Sequence, residues 1–109
     1  MKDDKLYLIH LTECIEHIES YTENMDKETF MNTNLVQDAV IRNLQVLAES
    51  TQRLSEQAKQ TQPQIDWYRI AGFRNILVHD YLGIDMERIW NIIEREIPIL
   101  KKAIREMMG

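Results

Sequence analysis

Four polar side chains that could bind an anion and move a proton lie close together in residues 74–81: Arg74, Asn75, His79 and Tyr81. On a helical wheel of about 100° per residue, Arg74 projects from the middle of an arc of apolar neighbours, namely Ile70, Phe73, Leu77, Trp67, Val78 and Ala71. Burying an unpaired guanidinium is costly. We therefore expect Arg74 to pair with an acid, to face water in a cleft, or to bind an anion.

These residue types suit metal-independent cleavage of a phosphodiester bond in RNA. The 2′-hydroxyl of the substrate would be the nucleophile, and His79, with an unperturbed pKa of about 6.5, would move protons. Arg74 would neutralise the oxygens of the pentavalent transition state, and Asn75 could fix the imidazole tautomer. The residues alone leave a structural alternative open, in which Arg74 pairs with an acid and His79 caps the C-terminal end of a helix.

The spacing within this group raises a geometric question. A straight helix separates Arg74 from His79 by about 140°. The two side chains could converge in three ways. They could be long enough to reach each other, the helix could end near His79, or the second residue could come from another copy of the chain. The last route predicts a composite site in a symmetric dimer.

A second group that could do chemistry is formed by His10, Cys14 and His17. Their spacing places them within about 60° on one helix edge, and their types suit zinc. A single helix rarely supplies a complete site, however, and Cys14 borders the apolar face, so we expect packing and surface roles, with no metal site and no cofactor. The three glycines, at positions 72, 83 and 109, form neither a phosphate-binding loop nor a dinucleotide-binding turn.

Composition narrows the class of protein further. The formal net charge of −5 excludes a uniformly basic nucleic-acid-binding surface, so binding of RNA or DNA would need a local basic groove or one assembled across a dimer. One cysteine cannot form an internal disulfide, and Met1 is followed by polar residues rather than by a signal peptide. No apolar stretch reaches the roughly 18 residues of a membrane span. These features predict a cytoplasmic protein that does not contact a membrane.

The first half of the chain is predicted to be helical. Apolar residues recur every three or four positions in residues 5–22, which is typical of an amphipathic helix. Asp26 could cap a short helix that ends near Met31. Asn34 could cap a long helix whose apolar seam continues to Ala58.

The second half is predicted to contain a loop and two more helices. Residues 55–64 lack large apolar side chains, so we predict a loop there. A helix should restart between Pro63 and Asp66, contain residues 74–81 and stop at Gly83, with Gly72 marking a close approach of another helix. Asp85 should cap the last helix, which Pro98 should kink by removing a backbone donor.

These elements favour an all-α fold in a single domain, residues 1–109. Four long amphipathic helices with short connections, one of which holds a further short helix, favour an antiparallel up-down four-helix bundle with one additional short helix. In this arrangement, residues 74–81 would lie near the end of the third long helix.

Residues 74–81 resemble the motif of the HEPN superfamily, and within it the HepT toxins of the HepT–MntA type VII toxin–antitoxin systems. The family motif is an Arg, a polar residue, three further residues, a His, one residue and a Tyr, and it stands complete from Arg74 to Tyr81. The resemblance covers roughly residues 1–105, with further matching features at Trp67, Gly72, Ile84-Asp85, Ile89-Trp90 and the run 38–44.

The resemblance implies a HEPN-like bundle that forms a homodimer, in which two motifs line one cleft. It implies a toxin that halts growth by cutting cellular RNA, with Arg74 and His79 as the catalytic pair and Asn75 in support. In similar proteins an MntA-like nucleotidyltransferase antitoxin attaches AMP units to the motif tyrosine, here Tyr81. The added negative charge beside Arg74 would compete with RNA.

A different class of function remains open alongside the nuclease. A HEPN module could bind a nucleotide or a protein partner without cleaving anything, and the acidic net charge favours this alternative.

Overall fold

The computed structural model describes residues 2–77 and 83–109. Every regular element in these ranges is helical, which confirms the all-α prediction. In chain order the helices are α1 (Lys2–Thr22), α2 (Lys27–Met31), α3 (Asn34–Arg53), α4 (Glu56–Gln60), α5 (Trp67–Ala71), α6 (Phe73–Leu77), α7 (Met86–Asn91) and α8 (Ile97–Met108), with a π-helical segment, Ile92–Glu96, between α7 and α8. The up-down order of a four-helix bundle stays a prediction.

The core forms where α1 packs against α3 and α8, and where α3 packs against α5 and α6. Its fully buried side chains are mostly the aliphatic residues of the predicted apolar seams: Leu11, Ile15, Ile18, Val40, Leu44, Leu47, Leu100 and Ile104. Each such side chain stabilises the fold by about 1.5–3 kcal/mol relative to an exposed one. Because α5 and α6 both pack against α3, the long helix α3 sets their position. No helix within the described ranges is long and apolar enough to cross a bilayer.

The boundaries of α2 and α3 depend on one predicted cap and on one side-chain contact that the sequence pattern does not indicate. The Asp26 carboxylate accepts a hydrogen bond from the Thr29 N–H at 2.8 Å, which confirms the predicted cap of α2. Asn34 is not a cap, since it is the first residue of α3 and Thr33 precedes it without a side-chain cap. Instead, the buried amide of Gln37 donates to the Phe30 carbonyl at 2.8 Å. Through this bond a carbonyl near the end of α2 gains a side-chain donor. No pattern in the sequence predicts the bond.

The segment after α3 differs most from its prediction. The long helix ends at Arg53 rather than continuing to Ala58, and residues 55–64, predicted to be a loop, contain the short helix α4. Ser55 starts α4 because its hydroxyl oxygen accepts a hydrogen bond from the Ala58 N–H at 3.0 Å. None of the residues of α4 is buried, so this helix has no apolar periodicity by which it could be found.

Asp4 on α1 fixes the start of α4 from a distance in the chain. One of its carboxylate oxygens accepts a hydrogen bond from the Ser55 N–H at 2.8 Å, and the other accepts from the Ser55 hydroxyl at 2.7 Å. The bond from the backbone N–H, followed by the bond from the hydroxyl, lowers the pKa of the buried Asp4 carboxyl. The charged form of Asp4 therefore stabilises the fold.

Replacing Asp4 with asparagine is expected to lower the free energy of unfolding by about 1.5–3 kcal/mol near neutral pH, the usual range for a hydrogen bond to a charged group. Because the folded pKa lies below the unfolded value of 3.8, the stabilisation is present above that value and is lost as the pH falls through the folded pKa. Urea unfolding at neutral and at acidic pH measures both effects. The exposed neighbour Asp3 gives the matched control, Asp3→Asn, and a loss of stability that is independent of pH would contradict the prediction.

In the last helical region the predicted cap by Asp85 is confirmed, and a π-helical segment precedes Pro98, where a kink was predicted. The Asp85 carboxylate accepts a hydrogen bond from the Arg88 N–H at 3.2 Å and so caps α7. The helix then widens into the π-helical segment directly before Pro98, where the Ile97 N–H donates to the Ile92 carbonyl five residues earlier. A proline lacks the N–H that a regular turn requires, and the wider turn before it accommodates that loss.

Candidate active site

The region around Arg74 consists of two short helices that meet at Gly72, rather than the single helix predicted. Asp66 caps α5 by accepting a hydrogen bond from the Arg69 N–H at 3.0 Å. At the junction, the Gly72 N–H donates to the Tyr68 carbonyl at 3.0 Å, and the Asn75 N–H donates to the Gly72 carbonyl at 3.0 Å, only three residues back. The Gly72 bond spans four residues, as in an α-helix, whereas the tighter turn closed by the Asn75 bond interrupts the helix.

The prediction that Gly72 marks a close approach of another helix is wrong. A Cβ at this position would meet the Arg69 carbonyl oxygen at 3.2 Å and the Tyr68 carbonyl oxygen at 3.4 Å, both in the turn that precedes it. The glycine therefore serves the junction between α5 and α6. Its low helix propensity is consistent with the break at this position.

Three buried side chains fix the orientation of the junction. Ile70, Phe73 and Leu77 lie in the core, on the side where α5 and α6 pack against α3. Arg74 and Asn75 consequently lie on the exposed side of α6. Arg74 shares the cleft lining with Trp67 and Ala71, two members of the apolar arc predicted around it, but its own side chain is exposed.

Arg74 faces an open cleft. Its guanidinium Nη1 donates a hydrogen bond to the Gln52 side-chain oxygen of α3 at 3.4 Å, which is a long and weak contact. Within residues 2–77 and 83–109, none of the salt bridges involves Arg74. Of the three expectations for this residue, a cleft that faces water is therefore the one observed, and the alternative of a guanidinium sealed against an acid is not found among the described residues.

The cleft has a volume of about 950 Å³ and lies between α3, α4, α5 and α6. Its lining includes charged (Glu56, Lys59, Arg74), amide (Gln52, Gln60, Asn75) and aromatic (Trp67, Tyr68) side chains, and it is completed by Pro63, Ile65, Ala71 and Gly72. Two cations against one carboxylate make this cleft locally basic in a chain of net charge −5. The cleft is therefore a candidate for the local basic groove that RNA binding by an acidic protein would require.

Lys59 is a cleft residue that sequence reasoning missed, because it lies in the segment predicted to be a loop. Its side chain is only 16% exposed, and its ammonium lies 3.6 Å from the Glu56 carboxylate. The signal that could have found it is Ser55 followed by an acid and then by a lysine three residues further, which is typical of a capped helical turn.

Trp67 holds the two walls of the cleft together. Its indole N–H donates to the Lys59 carbonyl at 3.1 Å and to the Gln62 carbonyl at 3.2 Å, so that α5 is tied to the end of α4. These bonds satisfy the only donor of the indole and fix the backbone of Lys59 relative to α5. The cleft is therefore held by specific contacts on both sides.

A second, smaller cleft of about 520 Å³ lies on the other side of the junction. Gly72 and Asn75 line both clefts, and the second one also contains Arg69 and Arg88. Arg69 is occupied, because its Nε and Nη2 donate to the two carboxylate oxygens of Glu96, each at 2.8 Å. Asn75 thus stands where the two clefts meet, one residue from Arg74.

The group of His10, Cys14 and His17 does not converge. Cys14 is buried in the core, and burial raises the pKa of its thiol to about 11, which disfavours the thiolate that a metal would need. His17 Nδ1 lies 3.1 Å from the Asn43 side-chain oxygen, and its ring stacks on Tyr21. In the part of the chain that the structure describes, no three His, Cys, Asp or Glu side chains are arranged to hold a metal ion.

Two of the four predicted site residues, His79 and Tyr81, lie outside the described residues. The structure places Arg74 and Asn75 side by side at the cleft. The roles predicted for His79 and Tyr81 therefore stay predictions.

Comparison with known proteins places the chain among ribonuclease-like sequences. The family model described as "Ribonuclease HepT-like" matches residues 11–107. The chain is 34% identical over 106 residues to a protein of Thermococcus cleftensis named "Probable ribonuclease HepT", covering 97% of this chain and 96% of the relative. It is 30% identical over 103 residues to a protein of Methanocaldococcus jannaschii named as a "putative RNase", covering 94% of each chain.

A further relative from Methanocaldococcus jannaschii is longer. It is named as a gamma-glutamylcyclotransferase and "putative RNase", and it is 36% identical over 107 residues, which are 98% of this chain and 48% of that protein. The chain therefore spans about half the length of this relative. No solved structure matches the chain significantly. The family match covers most of the chain, and the chain belongs to the HepT-like ribonuclease family.

Proposed function

We propose that this protein is a metal-independent endoribonuclease and the toxin of a toxin–antitoxin system, with Arg74 and His79 as its catalytic pair. The observation that carries the proposal is Arg74, an exposed guanidinium in a locally basic cleft with no ion-pair partner among the described residues. Membership of the HepT-like ribonuclease family supports the same activity.

The proposed reaction uses the 2′-hydroxyl of the RNA as the nucleophile. The imidazole of His79 takes the hydroxyl proton, the 2′-oxygen attacks phosphorus, and the bond to the 5′-oxygen breaks, which leaves a 2′,3′-cyclic phosphate. Water protonates the leaving 5′-oxygen, and the imidazolium of His79 returns its proton to the solvent. Arg74 binds the phosphoryl oxygens as negative charge develops on them, and Asn75, next to it at the meeting point of the two clefts, orients the reacting groups.

Lys59 has a supporting role in this proposal. Its side chain lines the same cleft as Arg74 and is only 16% exposed. A second cation at this position would bind a phosphate that neighbours the scissile one. The charge of Glu56 partly offsets it, which keeps the site from binding anions indiscriminately.

The proposal includes a homodimer with a HEPN-like antiparallel four-helix bundle in each subunit. It rests on the angular separation of Arg74 and His79, which a straight helix places about 140° apart. A two-fold axis beside the cleft would bring the arginine of one subunit to the histidine of its partner. The cytoplasm, where cellular RNA is found, is the proposed location.

The proposed partner is an MntA-like nucleotidyltransferase antitoxin that attaches AMP to Tyr81. A phosphodiester on this tyrosine, seven residues after Arg74, adds negative charge and bulk beside the anion site. The modified protein would no longer bind the RNA backbone. This part of the proposal rests on the resemblance of residues 74–81 to the motif of the HepT toxins.

The test is RNA degradation by the purified, unmodified protein in the presence of EDTA. Wild-type protein is expected to cleave an oligoribonucleotide and to leave the 2′-deoxy oligonucleotide of the same sequence intact, because the nucleophile is then missing. Intact-mass measurement beforehand verifies that Tyr81 carries no AMP. RNA that survives a large excess of unmodified protein would favour the alternative, a HEPN module that binds a nucleotide or a partner, which the acidic net charge also favours.

A further inference from the structure

Tyr68 has no role in the function proposed so far, yet its side chain is unusual. It is 91% exposed, more than any other large hydrophobic side chain among the described residues. It lies on the wall of the larger cleft, in the same lining as Arg74 and Lys59. A ring exposed to this degree contributes almost nothing to folding through burial, so its place at the cleft calls for another explanation.

The backbone that carries Tyr68 is held firmly even though its ring is free. Asp66 caps α5, the indole of the adjacent Trp67 is bound to two carbonyls at the end of α4, and Ile70 is buried in the core. The Tyr68 carbonyl itself accepts the Gly72 N–H at 3.0 Å. The ring is therefore presented to the cleft from a fixed support, which lowers the entropy cost of binding against it.

We propose that Tyr68 is a stacking platform for a base of single-stranded RNA, next to the phosphate that Arg74 binds. This inference rests on the proposed function and names the substrate class: an unpaired stretch of RNA whose base can leave its stack. Proteins commonly bind single-stranded nucleic acids by placing cations along the sugar-phosphate backbone and an aromatic side chain against a base. This arrangement tolerates any sequence, since every base has a π-face. In this cleft Tyr68 supplies the face, and Lys59 and Arg74 supply the cations.

The ring would bind a base and the cations would bind phosphates, so the two contributions to RNA binding should differ in their dependence on salt. Stacking on Tyr68 is insensitive to salt, whereas contacts of Lys59 with a phosphate release counterions and weaken as salt rises. Duplex RNA keeps its bases inside the helix and would not use the platform. The site is therefore expected to prefer single strands over duplexes of the same composition.

The experiment measures binding of a fluorescent, non-cleavable 2′-deoxy oligonucleotide and of a version that lacks bases, using the full-length protein. Tyr68→Ala is expected to weaken binding of the intact probe about tenfold, within the range known for stacking of one base on an aromatic ring. Tyr68→Trp is expected to restore it. Removal of the bases should weaken the wild type similarly and leave Tyr68→Ala nearly unaffected, because both changes delete the same contact.

Two variants serve as controls. Tyr21→Ala removes a tyrosine that is 37% exposed on α1, outside both clefts, and should bind the probe like the wild type. Lys59→Gln should reduce the salt dependence of binding by about one released ion, whereas Tyr68→Ala should leave the slope unchanged.

Three results would overturn the stacking proposal. One is equal binding by Tyr68→Ala and the wild type, and another is equal sensitivity of both proteins to removal of the bases. The third is dissociation of an oligomer by Tyr68→Ala in light scattering, which would identify the ring as a contact between copies of the chain. These outcomes are separate from the proposed function, since RNA cleavage by the wild type tests that function independently of Tyr68.

Discussion

Replacing Arg74 or His79 with alanine is expected to abolish cleavage of RNA in EDTA while leaving the fold intact. Loss of the proton-transferring imidazole typically slows such a reaction about 10²- to 10⁴-fold. Loss of a group that stabilises transition-state charge slows it about 10²- to 10³-fold. Arg74→Lys should retain part of the activity, because an ammonium keeps the charge and loses the two-pronged contact with phosphate. Initial rates on a labelled oligoribonucleotide measure all three variants.

The structure shows why Arg74→Ala should still fold. The side chain is exposed, and its one hydrogen bond among the described residues is the weak contact with Gln52 at 3.4 Å. Exposed substitutions of this kind usually change the free energy of unfolding by less than about 0.5 kcal/mol. Arg105→Ala, an exposed arginine on α8 outside both clefts, is the matched control and should cleave normally. Full activity of Arg74→Ala would contradict the proposed role.

Mixing the two inactive variants tests whether the site is shared between subunits. If each site takes Arg74 from one subunit and His79 from its partner, a mixed dimer has one doubly altered site and one intact site. Random exchange of subunits should then recover about a quarter of the wild-type activity. If both residues act within one chain, no site in the mixture is complete, and no activity returns.

Attachment of AMP to Tyr81 is expected to suppress RNA cleavage at least as strongly as the loss of Arg74. In the proposed site, the modification would introduce a negative charge and a bulky group beside Arg74, so that an RNA phosphate could no longer bind there. Treating the protein with an MntA-like nucleotidyltransferase and ATP, followed by intact-mass measurement and a cleavage assay, relates the number of AMP units to the remaining rate.

Two tyrosine variants locate the modification. Tyr81→Phe should stay unmodified and active under the same treatment. Tyr68→Phe is the matched control because Tyr68 is another accessible hydroxyl on the cleft wall, and it should still be modified and inhibited. Modification that disappears in Tyr68→Phe and persists in Tyr81→Phe would show that the assignment to Tyr81 is wrong.

Several features could be predicted from the sequence because they depend on residues a few positions apart. The caps of α2 and α7 by Asp26 and Asp85 follow from a side chain that reaches a backbone N–H three residues further. The apolar seams of α1, α3 and α8 follow from the helical period. Three options for Arg74, namely pairing with an acid, facing a cleft or binding an anion, follow from the cost of desolvating a charge.

The tertiary structure alone decided which of those three options holds and what surrounds Arg74. The cleft joins Gln52, Lys59 and Tyr68 to Arg74, and these residues come together only because α4, α5 and α6 assemble beside the end of α3. Helix α4 has no buried residue, so its position depends on specific contacts, such as those of Asp4 with Ser55, 51 residues apart in the chain, and of the Trp67 indole with the Lys59 carbonyl. Contacts across such separations leave no periodic trace in a sequence, which is why the residue types were evident beforehand and the shape of the cleft was not.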